Sequence, residues 1–298
     1  MNESSPSLQN HRQPLVSIGL PTYNRPAGLQ KVLDCIHAQT YSNLEIIISD
    51  NCSDNAEVAA IIRAAGEKDK RIRAITQATN IGLEGNFNFV YARATGDYFI
   101  WMSDDDVFDD NYIAECVKYL EGHKDHVLCS GQSIYYTNGE YTFTEDMMPV
   151  IGESPFGRAS KFFDRMQQNG KFYGVFRNKL LAAEPLGHHI GCDWSFMAKL
   201  AILGKLNFTT TTNYHRAIGG NSVNRKRLVS RYGYKGFKKV FLETYSAYII
   251  SLNLFKDPAI KGKFGFAKRV WLQWIVFVKI HWLHLTNSIR TRVRRRKS

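Results

Sequence analysis

The sequence contains few cysteines, and they follow no motif. Five are present, and no two of them have the C-x-x-C spacing. Widely separated cysteines in odd number predict neither a zinc site nor a disulfide framework, so we expect a reducing compartment. They are Cys35, Cys52, Cys116, Cys129 and Cys192.

Long apolar runs are also missing. Residues 1–14 are polar and lack the apolar core of a signal peptide, so nothing indicates export. Residues 270–285 are mostly apolar but are interrupted by polar side chains. At about 16 residues, this run is too short to span a bilayer. The composition, 44% hydrophobic and 22% charged, is otherwise typical of a globular protein.

Acidic residues are almost absent from the last part of the chain. Residues 1–215 contain 19 Lys and Arg against 25 Asp and Glu, whereas residues 216–298 contain 20 against 2. The formal charge of +12 is therefore the sum of −6 in front and +18 behind. This asymmetry indicates two parts with separate roles.

Apolar runs alternate with helical patterns in the first 110 residues. Strands are predicted at residues 15–20, 44–49, 71–76 and 98–102. Helices are predicted at residues 29–36, 55–65 and 84–94. Strands connected by helices pair in parallel, so we expect an α/β sheet with helices on both faces. Ligands of such sheets bind beyond the carboxyl ends of the strands.

The pattern is less regular after residue 110. A strand pair is predicted around 127–136 and 141–144, with a turn at Asn138-Gly139 and a loop at 147–157. Further helices are predicted at residues 111–122, 159–168 and 194–203, with a strand at 205–210. From residue 228 onward the pattern is helical, in two segments that divide near Asp257-Pro258.

Three polar clusters, at 21–25, 50–54 and 103–106, follow predicted strands and should converge in space. The acidic run Asp104-Asp105-Asp106 costs stability unless a cation or hydrogen-bond donors offset its repulsion. Carboxylates suit Mg²⁺ or Mn²⁺, which would neutralise a diphosphate leaving group. The alternatives are plain: a solvated acidic turn, a helix-entry turn at 21–25, and an N-cap at Asp54.

Taken together, the clusters resemble the family-two glycosyltransferases of the GT-A fold, over about residues 14–215. The matching segments are Pro21-Thr22-Tyr23-Asn24-Arg25, Ser49-Asp50-Asn51-Cys52-Ser53-Asp54, Asn80-Ile81-Gly82 and Ser103-Asp104-Asp105-Asp106. With Asn86-Phe87, they are most similar to the abequosyltransferase-like branch, which builds bacterial surface polysaccharide. The resemblance implies a Rossmann-like, mostly parallel sheet covered by helices, with a C-terminal helical, basic extension.

The resemblance also implies roles for individual residues. Pro21, Tyr23 and Asp50 would hold the nucleobase, Asp104 would approach the ribose, and Asp106 would ligate Mn²⁺ or Mg²⁺. The complete implied donor site is Pro21, Thr22, Tyr23, Arg25, Asp50, Asn51, Asn80, Gly82, Asn88, Asp104 and Asp105. Many family members have an arginine where this chain has Phe87, so UDP-, CDP- and dTDP-sugars remain open.

The catalytic base is assigned in the same way. The family places an acid at the head of a helix that follows a glycine, which corresponds here to Asp193 in Gly191-Cys192-Asp193-Trp194. Trp194 would bind the acceptor by stacking, and Cys192 stands where an acidic residue is common. Alternatively, Asp193 caps the helix and Trp194 packs in the core. His188 and His189 could compete for the role of base.

Residues 215–222 resemble a part of the family that closes over the donor. His215 would ligate the metal, Arg216 would contact the diphosphate, and Ser222 would belong to a glycine-containing lid. The alternative is a loop with a strand-end histidine.

The basic tail combines tryptophans with cations. Trp271, Trp274 and Trp282 precede six terminal cations between Arg290 and Lys297. This mixture suits a helix lying in the headgroup layer of an anionic membrane. The alternative is a helical hairpin packed on the catalytic domain. No nucleic-acid-binding motif is present, so no nucleic acid partner is expected.

Together with this resemblance, these observations predict a metal-dependent glycosyltransferase; inversion and a role in bacterial surface polysaccharide synthesis are what the resemblance implies. It would use a nucleotide-sugar donor and a glycan or lipid-linked acceptor, at the cytoplasmic face of the plasma membrane. The alternatives are a nucleotidyltransferase and a non-catalytic nucleotide-sugar or membrane-binding module. The predicted parts are a disordered N-terminus (1–13), a catalytic domain (14–225, dividing into nucleotide-binding residues 14–110 and acceptor residues 111–225) and a basic extension (226–298).

Overall fold

A computed structural model describes residues 13–164, 169–181, 184–218 and 225–295, and the side chains of all of these except residues 225, 227 and 285–295. The strands are β1 (Val16–Thr22), β2 (Leu44–Asp50), β3 (Ile72–Thr76), β4 (Tyr98–Trp101), β5 (Val107–Phe108), β6 (His126–Thr137), β7 (Glu140–Thr144), β8 (Val175–Arg177) and β9 (Lys205–Ala217). The helices are α1 (Pro26–His37), α2 (Ala56–Lys68), α3 (Leu83–Tyr91), α4 (Tyr112–Gly122), α5 (Pro155–Asp164), α6 (Cys192–Leu203), α7 (Arg225–Arg231), α8 (Phe237–Val240), α9 (Leu242–Lys256), α10 (Pro258–Lys263) and α11 (Phe266–Arg295). The N-terminus predicted to be disordered lies outside the described residues, apart from residue 13.

One mixed sheet organises the protein. Its order is β3-β2-β1-β4-β8-β6-β9-β5, with β7 paired to β6. The first four strands are parallel, as predicted, and their register places Thr22, Asp50 and Thr76 side by side. Because these three residues end their strands, the loops that follow leave the sheet along one edge.

Helices cover both faces of the sheet, and each face has its own apolar core. On one face, α1 buries Leu29, Val32, Leu33 and Ile36, the helical spacing read from the sequence, beside α2 and α4. On the other face, α5 and α6 lie next to the sheet, and α9 and α11 pack against them. The C-terminal helices are therefore continuous with the core of the α/β part.

The extension is attached by polar contacts as well. Lys199 on α6 forms a buried ion pair with Asp257 at 2.8 Å. Asp257 also caps α10, since its Oδ1 accepts from the backbone N–H of Ala259 at 2.9 Å. The predicted break at Asp257-Pro258 is confirmed, but the described part of the extension contains five helices rather than two.

Several element boundaries differ from the prediction because long-range pairing sets them. The strand predicted at 205–210 continues to Ala217, since β9 pairs with β6 along its length and with β5 near its end. The helix predicted from residue 159 begins at Pro155, inside the predicted loop. The strands β5 and β8 have two and three residues, too few to leave a pattern. The turn at Asn138-Gly139 is confirmed by positive φ at both residues.

Candidate active site

The three polar clusters meet at one edge of the sheet, as predicted. The Oγ1 of Thr22 donates to Asp104 Oδ2 at 2.9 Å, joining the ends of β1 and β4. The backbone N–H of Asn51 donates to the carbonyl of Thr22 at 3.0 Å, joining β1 to β2. The backbone N–H of Asn24 donates to Ser53 Oγ at 2.9 Å. We call this set of strand ends the donor edge.

The donor edge contains a buried carboxylate, Asp50, and an exposed ring, Tyr23. Asp50 is 2% exposed, and its Oδ1 accepts from the N–H and hydroxyl of Ser53 at 3.1 and 2.5 Å. Tyr23 is 44% exposed. Pro21 is buried within β1, opposite Ser49. Because Tyr23 follows Thr22, the strand partner of Asp50, an exposed ring and a fixed acceptor lie at neighbouring strand ends, which suits a planar nucleobase.

The segment at 80–82 is tied to the same edge. Asn51 Nδ2 donates to Asn80 Oδ1 at 3.1 Å, and Asn51 Oδ1 accepts from the N–H of Ile81 at 2.9 Å. The N–H of Gly82 also donates to Asn80 Oδ1 at 2.9 Å. Asn88 is placed differently, because its amide makes two hydrogen bonds with the backbone of Leu186, at 2.8 and 3.0 Å. It positions that segment and does not bond to the strand ends.

Two residues of the donor edge were not predicted. Asn86 is buried on α3, and its Nδ2 donates to the carbonyl of Ser49 at 3.0 Å. Gly28 lies on α1, where a Cβ would stand 1.9 Å from the carbonyl oxygen of Asp104. Only a glycine permits this approach of the helix to the acidic run. Asn86 contributes to the resemblance without a predicted role, and Gly28 carries no sequence signal, since both act on residues distant in the chain.

Protein donors hold the acidic run in place. Arg25 Nη1 lies 3.2 Å from Asp104 Oδ1 and 2.8 Å from Asp105 Oδ2. Burial raises the pKa of Asp104, with Arg25 opposing it. Burial also acts upward on the pKa of Asp105, but hydrogen bonds from Ser103 and Arg25 outweigh it and lower that pKa.

Asp106 is the least compensated of the three carboxylates. It is 4% exposed, and the hydroxyl of Tyr214 donates to its Oδ2. Burial, with the charge of Asp105 adding to it, raises the pKa of Asp106 to about 7. Asp106 forms a long ion pair with Arg216, whose Nε lies 3.9 Å from Oδ2. A buried carboxylate of this kind is suited to a cation.

The donor set fits a metal completed by its ligand rather than by the protein. Among the residues that the structure describes, no cluster of three or more acidic, histidine or cysteine side chains forms a complete metal site. Mg²⁺ in nucleotide sites typically takes only one or two carboxylates and phosphate oxygens, which Asp106 and its neighbours can match. His215 has both ring nitrogens engaged, with Asp109 Oδ1 at 2.8 Å and the hydroxyl of Tyr136 at 3.0 Å. Its ring would have to leave one of these partners to reach a metal.

Asp193 lies in a cavity of about 360 Å³ beside the donor edge. It is the second residue of α6, directly after the turn at Gly191, where φ is +74° and a Cβ would stand 2.6 Å from Ile250. Asn169 Nδ2 donates to Asp193 Oδ2 at 2.9 Å. Burial raises the pKa of Asp193, with the Asn169 hydrogen bond opposing it. A partly desolvated carboxylate that faces a cavity is what a general base requires.

The neighbours of Asp193 have distinct positions. Trp194 is partly buried, lines the same cavity and lies parallel to the ring of His284, with 5.9 Å between centroids. Cys192 is buried, which raises the pKa of its thiol. His189 is buried too, and burial lowers its pKa. His188 pairs with Glu84 Oε2 at 3.2 Å. His188 is thus engaged by Glu84, whereas Nδ1 of His189 lies 3.0 Å from the carbonyl oxygen of Ile190.

Arg216 links the donor edge to the cavity. It lines the cavity with Asp193, lies 3.9 Å from Asp106, and packs over the ring of Tyr173 at 5.6 Å. A guanidinium that lies close to Asp106 and also lines the cavity of Asp193 is suited to an anionic group such as a diphosphate. Ser222, predicted to belong to the lid, lies outside the described residues.

Comparisons with known proteins identify the family of this chain. The model of the family described as Glycosyl transferase family 2 matches residues 17–198. An uncharacterised glycosyltransferase of Rickettsia felis is 29% identical over 143 residues, covering 46% of this chain and 23% of that protein. This chain covers only 13% to 23% of the length of the first curated relatives.

Solved glycosyltransferases share the fold at low identity. Staphylococcus aureus TarS 1-349 in complex with UDP-GlcNAc has a TM-score of 0.59 and 14% identity, covering 87% of this chain and 70% of that one. The mannosyltransferase PcManGT of Pyrobaculum calidifontis, in complex with GDP-Man and Mn²⁺, has a TM-score of 0.52 and 15% identity, covering 91% and 88%. The predicted GT-A fold is therefore confirmed.

Proposed function

The chain belongs to glycosyl transferase family 2, and from this premise we propose that it transfers a sugar from a nucleotide-sugar donor to a glycan or lipid-linked glycan, with inversion. The observation that carries the proposal is the junction of two sites. Arg216 lies 3.9 Å from a buried carboxylate at the donor edge, Asp106, and lines the same cavity as a second carboxylate, Asp193.

Each residue has a role in this proposal. Asp50 and Tyr23 bind the nucleobase, and Asp104 approaches the ribose. Asp106 would hold a Mn²⁺ or Mg²⁺ ion, which when bound neutralises the diphosphate. Arg216 contacts the leaving diphosphate from the side of the cavity. Asp193 takes the proton of the acceptor hydroxyl as its oxygen attacks the anomeric carbon and the bond to the diphosphate breaks.

A place at the inner face of the plasma membrane is part of the proposal. On α11, Trp271, Trp274 and Trp282 are each more than half exposed, while Leu272 and Val276 are buried against the protein. Within the part of the chain that the structure describes, no helix is long and apolar enough to cross a membrane. An exposed aromatic face on a segment of charge +18 supports contact with anionic lipid. The resemblance around Asn80–Phe87 supports a role in surface polysaccharide synthesis.

The test is calorimetry with UDP, CDP and dTDP, each with and without Mn²⁺. We expect one nucleotide to bind, and to bind more tightly when Mn²⁺ is present. A folded sample without metal-enhanced affinity for any of the three would contradict the proposal. Nucleotide sugars of the preferred nucleotide are then screened for hydrolysis and transfer.

A further inference from the structure

One side chain holds the carboxylate of Asp193. Asn169 Nδ2 donates to Asp193 Oδ2 at 2.9 Å, and among the residues that the structure describes no other side chain donates to this carboxylate. Arg216 lines the same cavity, but its ion pair is with Asp106. Within the described part of the chain, Oδ1 of Asp193 therefore has no side-chain donor.

The backbone that carries Asn169 is tied to the central sheet. The N–H of Gly170 donates to Glu145 Oε2 at 3.3 Å, and a Cβ at residue 170 would stand 2.6 Å from the same oxygen. The N–H of Phe172 donates to the carbonyl of Asn169 at 3.1 Å. The ring of Phe172 stacks on the buried ring of Trp101 on β4, with 5.0 Å between centroids. The amide is thus presented to Asp193 from a fixed support.

An amide is a suitable partner for a general base. It donates a hydrogen bond but does not titrate near neutral pH, so it can orient a carboxylate without competing for the proton. A lysine or arginine in the same place would favour the charged carboxylate more strongly and make it a weaker base. Orientation matters, because a displacement of about 1 Å at a reacting group can cost about a hundredfold in rate.

Other groups that can carry charge surround Asp193, on several elements. They are Glu84 on α3, His189 and Cys192 beside Asp193, Arg216 on β9, Arg231 on α7 and His284 on α11. The carboxylate of Glu84 is engaged by the hydroxyl of Tyr232 at 2.7 Å and by His188 at 3.2 Å. A substitution of Asn169 removes none of these groups, so a change in the titration of Asp193 would report the lost amide.

We propose that Asn169 is a positioning residue for the transfer reaction: its amide binds Oδ2 of Asp193 and fixes the carboxylate so that Oδ1 takes the proton of the attacking hydroxyl. The inference rests on the proposed function, since it takes Asp193 as the base. It adds a residue that had no predicted role.

The first test measures the pKa of Asp193 directly. The metal-free protein, with isotope labels at the aspartate side-chain carboxyl carbons, is titrated by NMR, and the signal of Asp193 is the one missing from Asp193→Asn. In Asn169→Leu, which keeps the size but not the donor, this pKa should rise by about one unit, the effect of one hydrogen bond to a charged group. Asn169→Ala should raise it less, because water can replace the amide.

The matched control is Asn207→Leu. It removes an amide that donates to the hydroxyl of Tyr119, at the other end of β9 from Arg216. The pKa of Asp193 should be the same in this variant as in the wild type. Thermal unfolding checks the fold of each variant, and Asn169→Ala, the smaller replacement, serves if leucine is not accommodated.

The second test is the pH dependence of kcat/KM with the UDP-, CDP- or dTDP-sugar that the wild type turns over. In Asn169→Leu, kcat should fall about ten- to hundredfold with a nearly unchanged KM for the donor. The acid limb of the profile should move to higher pH by the shift measured by NMR, because the base must lose its proton before it can act. A residue that only supports the fold would not move this limb.

Two outcomes overturn the inference: an unchanged pKa of Asp193 in Asn169→Leu, or a raised pKa with wild-type turnover. Joint loss of nucleotide affinity and turnover in both Asn169 variants would also contradict it, since that pattern indicates a structural role. If the wild type turns over none of the nucleotide sugars although the NMR shift is found, the proposed function fails and the positioning role fails with it, while the hydrogen bond itself is established.

Discussion

The donor edge and the cavity around Asp193 are built in different ways. The donor edge consists of short runs of consecutive residues after β1, β2 and β4, joined by hydrogen bonds across parallel strands. The cavity takes its lining residues from elements that extend from α3 to α11. In the proposed function, the nucleoside diphosphate would meet the regular part of the fold, and the acceptor would meet the irregular part.

This comparison also separates two kinds of carboxylate. Asp106 is buried at the donor edge, where a cation would compensate its charge, whereas Asp193 faces the cavity and is held by one amide. Variants of Asp106 and Asp193 should therefore fail in different assays. Four experiments test the comparison between the donor edge and the rest of the molecule.

The largest effect is expected from Asp193→Asn. Removing a general base typically costs a factor of about 10² to 10⁴ in turnover, while the donor edge is untouched. Transfer should nearly cease, and nucleotide affinity measured by calorimetry should remain. Asp34→Asn, exposed on α1, is the control. Wild-type turnover in Asp193→Asn would remove the distinction between the two regions.

The next largest effect concerns Asp106 and pH. Its folded pKa of about 7 lies above the usual value of about 3.9 for an unfolded Asp. Between these values the folded state keeps a proton that the unfolded state has lost. The unfolding free energy of the metal-free protein should therefore fall as the pH rises from about 4 to about 7, by up to about 4 kcal/mol.

Denaturant titrations across this pH range measure the effect. Asp106→Asn should flatten the profile in this range, whereas Asp110→Asn, an exposed neighbour, should not. At pH 8, Mn²⁺ should stabilise the wild-type protein and leave Asp106→Asn unchanged. Equal stabilisation of both proteins would place the metal elsewhere.

A smaller effect is expected from Asp50→Asn. If the Asp50 carboxylate accepts a hydrogen bond from an N–H of the nucleobase, its loss should weaken nucleotide binding about tenfold, the contribution of a charged hydrogen bond. Asp54→Asn, exposed in the same loop, should bind as the wild type does. Calorimetry compares the nucleotide affinities of the two variants. Unaltered affinity in Asp50→Asn would mean that the nucleobase does not bind at the end of β2.

The smallest effect on chemistry is expected on the outer face of α11. Trp271 and Trp274 stack on each other at 5.2 Å and are exposed. Replacing both by Ser should reduce flotation with anionic vesicles several-fold, with turnover on a soluble acceptor unchanged. Tyr141→Ser, an exposed ring on β7, is the matched control. Undiminished flotation of the double variant would leave the terminal cations as the membrane contact.

The donor edge could be predicted closely because parallel strands bring their carboxyl ends together. Once β1, β2 and β4 were read from apolar runs, Thr22, Asp50 and Asp104 had to be neighbours. Donor binding by Asn88 stays a prediction, since its amide forms hydrogen bonds with the backbone of Leu186. The C-terminal helices pack on the α/β part and also expose an aromatic face. The two interpretations of the basic tail, a packed helical hairpin and a membrane-surface helix, are therefore compatible.

What the sequence determined by itself was the set of local patterns: the periodicity of each strand and helix, the acidic run, and the charge asymmetry. Tertiary structure alone decided that Gly28 faces Asp104, that Tyr214 donates to Asp106, and that His284 lines the cavity of Asp193. The physical reason is separation along the chain. These contacts join residues that share no element, and they form only when the two cores bring their elements into place.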